Sequence, residues 1–318
     1  MTIETTNQLG LHKARQSQLV NSDKYTNDFL SSLEQVKDYE HISCPTCGYK
    51  SDDYLFVKRG GRYTYCPKCE HIFLSNCLTQ DLLLRFYAGY PTNTLEWHTN
   101  ESEFYRRIYL NGLNTIQEVA TGPRILDIGC SSGYFLSIAV ENGMEGFGVE
   151  PNKLEVEYAR QNGVLVLASN VSDLDSGETF DVITLWDVLE HIREPVAYIE
   201  SLLSILKPGG CIFVQVPSCD SLAAKIMRGA CNMFDGVEHL TLFSKRSLNL
   251  AFTKVGFELV RSETIISEVY AISNFLNYEQ DPYLPNSSKP IIESILDAKT
   301  IESSGFGYKI QAIFRSHK

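Results

Sequence analysis

No stretch of this 318-residue chain is long and apolar enough to cross a bilayer, and its first residues, MTIETTNQLGLHKARQ, hold no signal-peptide core. Membrane insertion is therefore not expected, and a cytoplasmic location is. Basic residues are in deficit: 28 Lys and Arg stand against 39 Asp and Glu, a formal net charge of −11. That balance argues against broad contact with a phosphate backbone, which needs clustered cations, although a local basic patch is still allowed. Internal repeats and low-complexity runs are missing as well. A disulfide framework is not expected either, because nine cysteines occur in a chain without an export signal. Cys44, Cys47, Cys66 and Cys69 form two CxxC pairs, whereas Cys77, Cys130, Cys211, Cys219 and Cys231 are scattered. The paired set reads as metal ligands and the others as reduced thiols. With 43% hydrophobic and 21% charged residues, the length suffices for a full α/β core and a small accessory unit.

The richest stretch is RILDIGCSSGYFLSIAVENGMEGFGVE, residues 124–150. It reads as strand (Arg124–Ile128), glycine turn (129–133), helix (134–140) and second strand (146–149), closed by Glu150. An acid about 20 residues after such a turn is placed to bind ribose hydroxyls. A dinucleotide fingerprint would need glycines at the first, third and sixth positions of the turn. Here Ser131 and Tyr134 occupy the third and sixth, so that fingerprint is absent. What is present is acid-x-Gly-x-x-x-Gly, with Asp127 just before the turn. A carboxylate there repels a pyrophosphate and attracts an ammonium group. The site therefore expects a nucleoside cofactor with a cationic end.

Downstream, the alternating pattern continues with a helix over 151–161 and a strand over 164–167. Phe180–Trp186 follows as an apolar strand suited to the centre of a parallel sheet. A helix (195–206), a turn (208–210), a strand (211–216), a helix (248–255) and strands at 257–265 and 308–314 complete it. Segments 217–243 and 266–306 interrupt the pattern, and long irregular connections in enzymes serve as lids or substrate walls as often as packing. LDIGCSSGYF, GVEPN, FDVITLWDVLEHI and LKPGG together make residues 105–260 resemble the class I S-adenosylmethionine-dependent methyltransferases. Ser131 stands where many members have glycine. The resemblance implies a doubly wound, Rossmann-like α/β fold with a seven-stranded sheet and S-adenosylmethionine as cofactor. It also implies a donor site made by Asp127, Gly129, Cys130, Gly133 and Tyr134 around the amino-acid end. Glu150 and Pro151 would lie at the ribose, Asn170 and Val171 beside the adenine, and Trp186 and Asp187 at the end of the fourth strand.

Upstream, CPTCG and CPKCE flank a hairpin with turn residues Gly60 and Gly61. This spacing fits a four-cysteine zinc ribbon over residues 41–77, in which Cys44, Cys47, Cys66 and Cys69 hold a structural Zn²⁺ and leave no open coordination position. His71 and Cys77 have poorer spacing, and His71 reads as a surface or packing residue. Residues 1–40 read as a tail or packing helix, with helical pattern at 28–36. Residues 78–121 read as a helical linker or lid, and 122–318 as the methyltransferase domain with an insertion at 266–306. YTYCPKCEHIFL followed by LLLRFYAGY is similar to zinc-ribbon methyltransferases of sugar and surface-polysaccharide tailoring, though Glu70 replaces the usual glycine after the last ribbon cysteine.

Two histidines attract attention. His191 lies in DVLEHI after the fourth strand, and His239 lies in GVEHLTLFS. His191 reads as structural or donor-side, and His239 as acceptor-side with a general-base role open to it; Glu190 and Glu238 could orient the rings. Tyr105 and Tyr109 fit the core equally well. The expected reaction is methyl transfer to a small-molecule acceptor, a nucleotide-linked sugar or related precursor, with O- and C-methylation unresolved. Homodimerisation is compatible with the sequence. An RNA methyltransferase gripping RNA through Lys50, Lys58, Arg59, Arg62 and Lys68 ranks lower, since Asp52, Asp53 and Glu70 dilute that cluster. A non-catalytic ribbon protein with a decayed nucleotide fold ranks lowest, because Asp127, Gly129, Gly133, Glu150 and Asp187 are intact.

Overall fold

The computed structural model describes residues 16–33, 39–89, 102–277, 283 and 296–317. Its centre is a seven-stranded sheet in the order β11-β12-β9-β8-β5-β6-β7. These strands are β5 (Arg124–Ile128), β6 (Glu145–Val149), β7 (Leu165–Ala168), β8 (Phe180–Trp186), β9 (Leu206–Pro217), β11 (Phe257–Ile265) and β12 (Lys309–Ser316). β9, β8, β5, β6 and β7 run parallel, and β12 enters antiparallel between β9 and β11. Period-2 alternation sends Ile125 and Val182 to one face and Leu126, Ile183 and Leu185 to the other. On the first face they meet helices Ser102–Gln117 and Tyr134–Glu141 through Ile108, Leu113, Leu136 and Ile138. On the second they meet helices Pro195–Leu202 and Lys245–Thr253 through Ile199, Leu202, Leu248 and Phe252. β8 is buried at every residue, as a central parallel strand covered on both faces must be. The expected doubly wound α/β fold is thus the observed one.

A second, smaller sheet has the order β1-β4-β3-β2, from Tyr39–His41, His71–Leu78, Gly61–Cys66 and Phe56–Lys58. One further strand joins it. β10 (Thr241–Leu242) pairs with Phe73 and Ile72 of β4, on the same edge as β1. The segment 217–243 was expected to be irregular. It contains helix Leu222–Met227 and this strand, and its pairing carries the small sheet beyond the expected 41–77 boundary. The reason is an edge: β4 outruns β1 and leaves amide groups that β10 satisfies.

Three other element expectations need correction. The N-terminal helix covers Gln16–Ser31 rather than 28–36, because Tyr25 and Phe29, one turn apart, pack on Phe86 at 5.4 and 5.2 Å, and the Tyr25 hydroxyl donates to the Phe86 carbonyl at 2.9 Å. The 208–210 turn is absorbed into β9, which begins at Leu206. Helix 195–206 stops at Leu202. Within 266–306, helices Val269–Leu276 and Ala298–Ser303 are formed, while 278–282 and 284–295 fall outside the described residues.

Candidate active site

The turn after β5 is built from left-handed backbone. Gly129, Ser131 and Gly133 have φ of 73°, 50° and 77°. A Cβ on Gly129 would meet Val188 Cγ2 at 2.8 Å, and one on Gly133 would meet Val164 Cγ2 at 2.7 Å, so both positions need glycine. Ser131 tolerates the same conformation because its side chain is engaged, its hydroxyl donating to Glu155 at 3.1 Å. Glu150, at the carboxyl end of β6, closes the cradle from the other side. Its carboxylate accepts from the Ser131 amide at 2.9 Å and the Asn152 amide at 2.8 Å. Burial raises its pKa, and those two amides pull against the rise.

Asp127 lies beneath the turn, buried, with Thr184 Oγ1 donating to Oδ1 at 2.7 Å. Desolvation pushes its carboxyl up to about 8 against that hydrogen bond. A buried acid with no cation beside it among the described residues is what an incoming ammonium group would relieve. Asp127 and Glu150 therefore converge at the carboxyl ends of adjacent strands, where open α/β sheets hold ligands. Cys130 presents only its backbone to the turn, since its sulfur packs 2.5 Å from where a Cβ on Gly148 would lie. Pro151 and Asn170 are exposed and Val171 half-buried on the rim after β6 and β7. A groove of about 680 Å³ opens from Pro151 and Ser169 along the outer flank of the helix Lys153–Gln161, away from the two carboxylates.

Trp186 ends β8 in an aromatic cluster with Tyr109 at 4.9 Å, Phe135 at 5.0 Å and Phe213 at 4.5 Å. Tyr109 also meets Tyr134 and Tyr105 at 6.0 Å each. Asp187 follows in a left-handed conformation, φ 55°. Its Oδ2 accepts from Gln215 Nε2 at 2.9 Å and pairs with Lys309, while its buried Oδ1 has no partner among the described residues.

Beyond Asp187 a three-residue turn, Leu189–His191, faces the segment before β10. The Leu240 amide donates to the Glu190 carbonyl at 2.9 Å, and Thr241 Oγ1 donates to the Leu189 carbonyl at 3.2 Å. His191 and His239 thereby come together, with ring centroids 4.9 Å apart. His239 Nδ1 lies 2.9 Å from Asp235 Oδ2 and 2.7 Å from the Met233 carbonyl, so it carries a proton. Burial works against a charged ring, but the Asp235 carboxylate overrides it and lifts the pKa to about 10. With that proton His239 is an imidazolium, a donor that becomes a base only once it has lost the proton. His191 goes the other way: burial and the neighbouring His239 charge push it down to about 3, and it is neutral. Its Nδ1 lies 3.2 Å from the Glu238 carbonyl and 3.3 Å from the Tyr87 hydroxyl. Glu238 Oε2 is 4.0 Å away and orients this ring weakly.

The four ribbon cysteines also converge. Cys44 Sγ lies 3.5 Å from Cys69 Sγ, Cys47 Sγ lies 3.4 Å from Cys66 Sγ, and all four sulfurs fall within 4.8 Å of one another. Four thiolates at that separation suit a tetrahedral ion with metal–sulfur bonds of about 2.3 Å. Glu70 has φ 61°, which explains why glycine is usual there. His71 lies outside this group of four and is a packing residue, not a surface one: it is fully buried, 3.3 Å from Thr46 Oγ1, with its ring against Phe243 at 4.9 Å. Cys77 instead accepts from Arg193 at 3.2 Å.

Sequence reasoning missed Thr184, Asp235 and Lys309. Asp235 was within reach, sitting four residues before His239. Thr184 and Lys309 carry no local signal, because Thr184 meets Asp127 across the neighbouring strands β8 and β5, and Lys309 reaches Asp187 from β12 with β9 between them.

Residues 99–262 match a methyltransferase-domain family. A ubiquinone biosynthesis O-methyltransferase of Vibrio parahaemolyticus is 29% identical over 130 residues, covering 37% of this chain and 55% of that protein. A protein of the same name from Pseudomonas aeruginosa is 31% identical over 132 residues, covering 37% and 56%. The chain spans about half the length of the curated relatives it matches. Among solved structures, the plantazolicin methyltransferase BpumL in complex with SAH superposes with a TM-score of 0.50 at 13% identity, covering 74% of this chain and 94% of that one, a likeness of fold alone.

Proposed function

Because this chain belongs to the methyltransferase-domain family, of the S-adenosylmethionine-dependent, Rossmann-like class, we propose that it transfers the methyl group of S-adenosylmethionine to a small-molecule acceptor. The observation that carries this reading is the pair of buried carboxylates, Asp127 and Glu150, at the ends of β5 and β6 on either side of a left-handed glycine turn. Asp127 suits the donor's ammonium group. Glu150 suits its ribose hydroxyls, for which a carboxylate is a bidentate acceptor. The aromatic cluster of Tyr109 and Trp186 offers π faces that favour a sulfonium. Pro151, Asn170 and Val171 lie where the adenine would leave the cradle.

The acceptor would approach from the side of Asp187, His191 and His239. Transfer is an in-line displacement, so the main demands are alignment and exclusion of water. His239, charged by its partnership with Asp235, offers a positive charge that favours an ionised acceptor oxygen, and it takes up the proton that an acceptor hydroxyl releases on methylation only from its neutral form. We take the acceptor to be a nucleotide-linked sugar or related glycan precursor, on the strength of the ribbon-plus-core pattern in the sequence. A structural Zn²⁺ at Cys44, Cys47, Cys66 and Cys69 belongs to the same reading. RNA is disfavoured as acceptor, since Lys58 and Arg59 are turned inward onto the carbonyls of Cys231 and Asp235 at 3.4 and 3.3 Å.

The test is calorimetry with S-adenosylhomocysteine, followed by turnover of labelled donor against a panel of sugar nucleotides, with the product identified by mass spectrometry. Stoichiometric binding and transfer to one of them are expected. No binding of the nucleoside at millimolar concentration would remove the proposal.

A further inference from the structure

A second group of metal-ligating side chains stands apart from the four cysteines. Glu190, His191 and His239 each direct one ligand atom into a common space, with those atoms within 4.8 Å of one another. The backbone staples the two segments that carry them, through the Leu240 amide on the Glu190 carbonyl and Thr241 on Leu189. The trio is therefore held by the fold and does not depend on loose side chains.

Two features point to a ligand. First, Glu190 is 1% exposed, and its Oε2 has no hydrogen-bond partner among the described residues. A buried carboxylate oxygen left unmatched is costly, and a cation or a proton must answer it. Second, both rings are braced from behind. His239 Nδ1 faces Asp235 Oδ2 at 2.9 Å, and His191 Nδ1 faces the Glu238 carbonyl at 3.2 Å. Ligand histidines are commonly held in this way: Nδ1–H is given to a carboxylate or carbonyl, which leaves the Nε2 lone pair for the metal. Neither Nε2 has a hydrogen-bond partner among the described residues.

We infer that Glu190, His191 and His239 form a binding site for a divalent first-row transition ion, with open positions facing the acceptor side. Two imidazoles and one carboxylate suit Zn²⁺, Fe²⁺, Co²⁺ or Ni²⁺, and they do not suit Mg²⁺ or Ca²⁺, which want oxygen ligands. The ion would then hold an oxygen of the acceptor beside the donor methyl group, a role that rests on the methyl-transfer reading; the site itself does not.

The experiment uses the full chain, stripped of metal and reloaded with one equivalent of Zn²⁺ to fill the four thiolates. Co²⁺ is then titrated and followed by visible absorption. A second equivalent is expected to give ligand-field bands without the intense sulfur-to-cobalt charge-transfer band. Glu190→Gln and His191→Gln abolish this second equivalent and keep the first. Asp235→Asn, which removes a brace and no ligand, weakens it about 10- to 100-fold. Thermal unfolding and S-adenosylhomocysteine calorimetry on the same variants separate this result from a folding failure or from failure of the donor reading. A wild-type protein that takes up one equivalent only, or a Glu190→Gln protein that binds Co²⁺ undiminished, overturns the site and leaves protons alone in the cluster.

Discussion

The cradle of Asp127 and Glu150 and the cluster around His191 and His239 lie on the same end of one sheet, yet they are made in opposite ways. The cradle is local. Asp127, Gly129, Gly133 and Glu150 come from one strand–turn–helix–strand unit, and Ser131 binds Glu150 through the backbone of that unit. The cluster is gathered from a distance. Tyr87, His191 and the Asp235–His239 pair come from three places in the chain, and the small sheet grips the loop that carries that pair. The Gly236 amide donates to the Tyr63 hydroxyl at 2.9 Å, Arg59 donates to the Asp235 carbonyl at 3.3 Å, and the Leu74 amide donates to the Leu240 carbonyl at 2.9 Å. Local units can persist when a distant part of the fold is lost, whereas gathered sites cannot. The small sheet is thus part of the wall around His191 and His239.

The largest effect that would sharpen this contrast is loss of the ion proposed for Cys44, Cys47, Cys66 and Cys69. Chelation or Cys66→Ser should unfold the small sheet, since a segment of this size depends on its ion for stability. Hydrogen exchange at 235–242 should rise to that of an open loop, while donor affinity by calorimetry stays within about threefold. Equal loss of both would show that the cradle is not independent. Next comes Glu150→Ala, which should weaken donor binding by about 10-fold or more, taking each hydrogen bond to a charged group as about 1.5–3 kcal/mol. Unchanged affinity would refute its ribose role.

Gly236→Ala attacks the other region. Its Cβ would fall 2.2 Å from the Lys58 carbonyl oxygen at a φ of +85°, so chain and hairpin must separate. A loss of about 1–3 kcal/mol in unfolding free energy is expected, with acceptor turnover impaired and donor binding intact.

A smaller effect concerns pH. Asp127 is pushed up to about 8 by burial, so between its unfolded value near 3.8 and about 8 the folded state binds more protons than the unfolded state. Stability of the ligand-free protein should therefore fall as pH rises through that window, and the fall should be absent in Asp127→Asn. Donor affinity should rise over the upper part of the same range, because an ammonium group selects the ionised carboxylate. Thermal unfolding and calorimetry at pH 6 and 9 read both slopes. The smallest change is Ser131→Gly, which relieves a left-handed φ and forfeits the bond to Glu155; a net shift of about 1 kcal/mol or less is expected in denaturant titration.

Much of the donor side was legible because its physics is short-ranged. The acid before the turn, the glycines that a Cβ would spoil and the acid after the second strand all announce themselves within one βαβ unit. The cysteine pairs were legible for a similar reason, as two knuckles at a set interval. His239 was visible as a residue but not as a charge. Its protonation depends on Asp235, the Met233 carbonyl and burial together, and residue spacing carries no measure of burial. His71 is the converse case: placed beside a metal knuckle and read as surface or packing, it proved fully enclosed against Phe243, a residue of the distant loop.

By itself the order of residues settled the alternation of strands and helices, the cradle beneath Asp127 and Glu150, and the two thiol knuckles, since each follows from period, turn conformation and ligand spacing over a few tens of residues. Only the tertiary structure decided that β10 closes onto the ribbon, that Lys309 reaches Asp187, and that Glu190 meets two histidines with an oxygen unanswered among the described residues. Those pairings depend on which edges and which buried charges come into contact once the layers pack, and that is a property of the assembled fold.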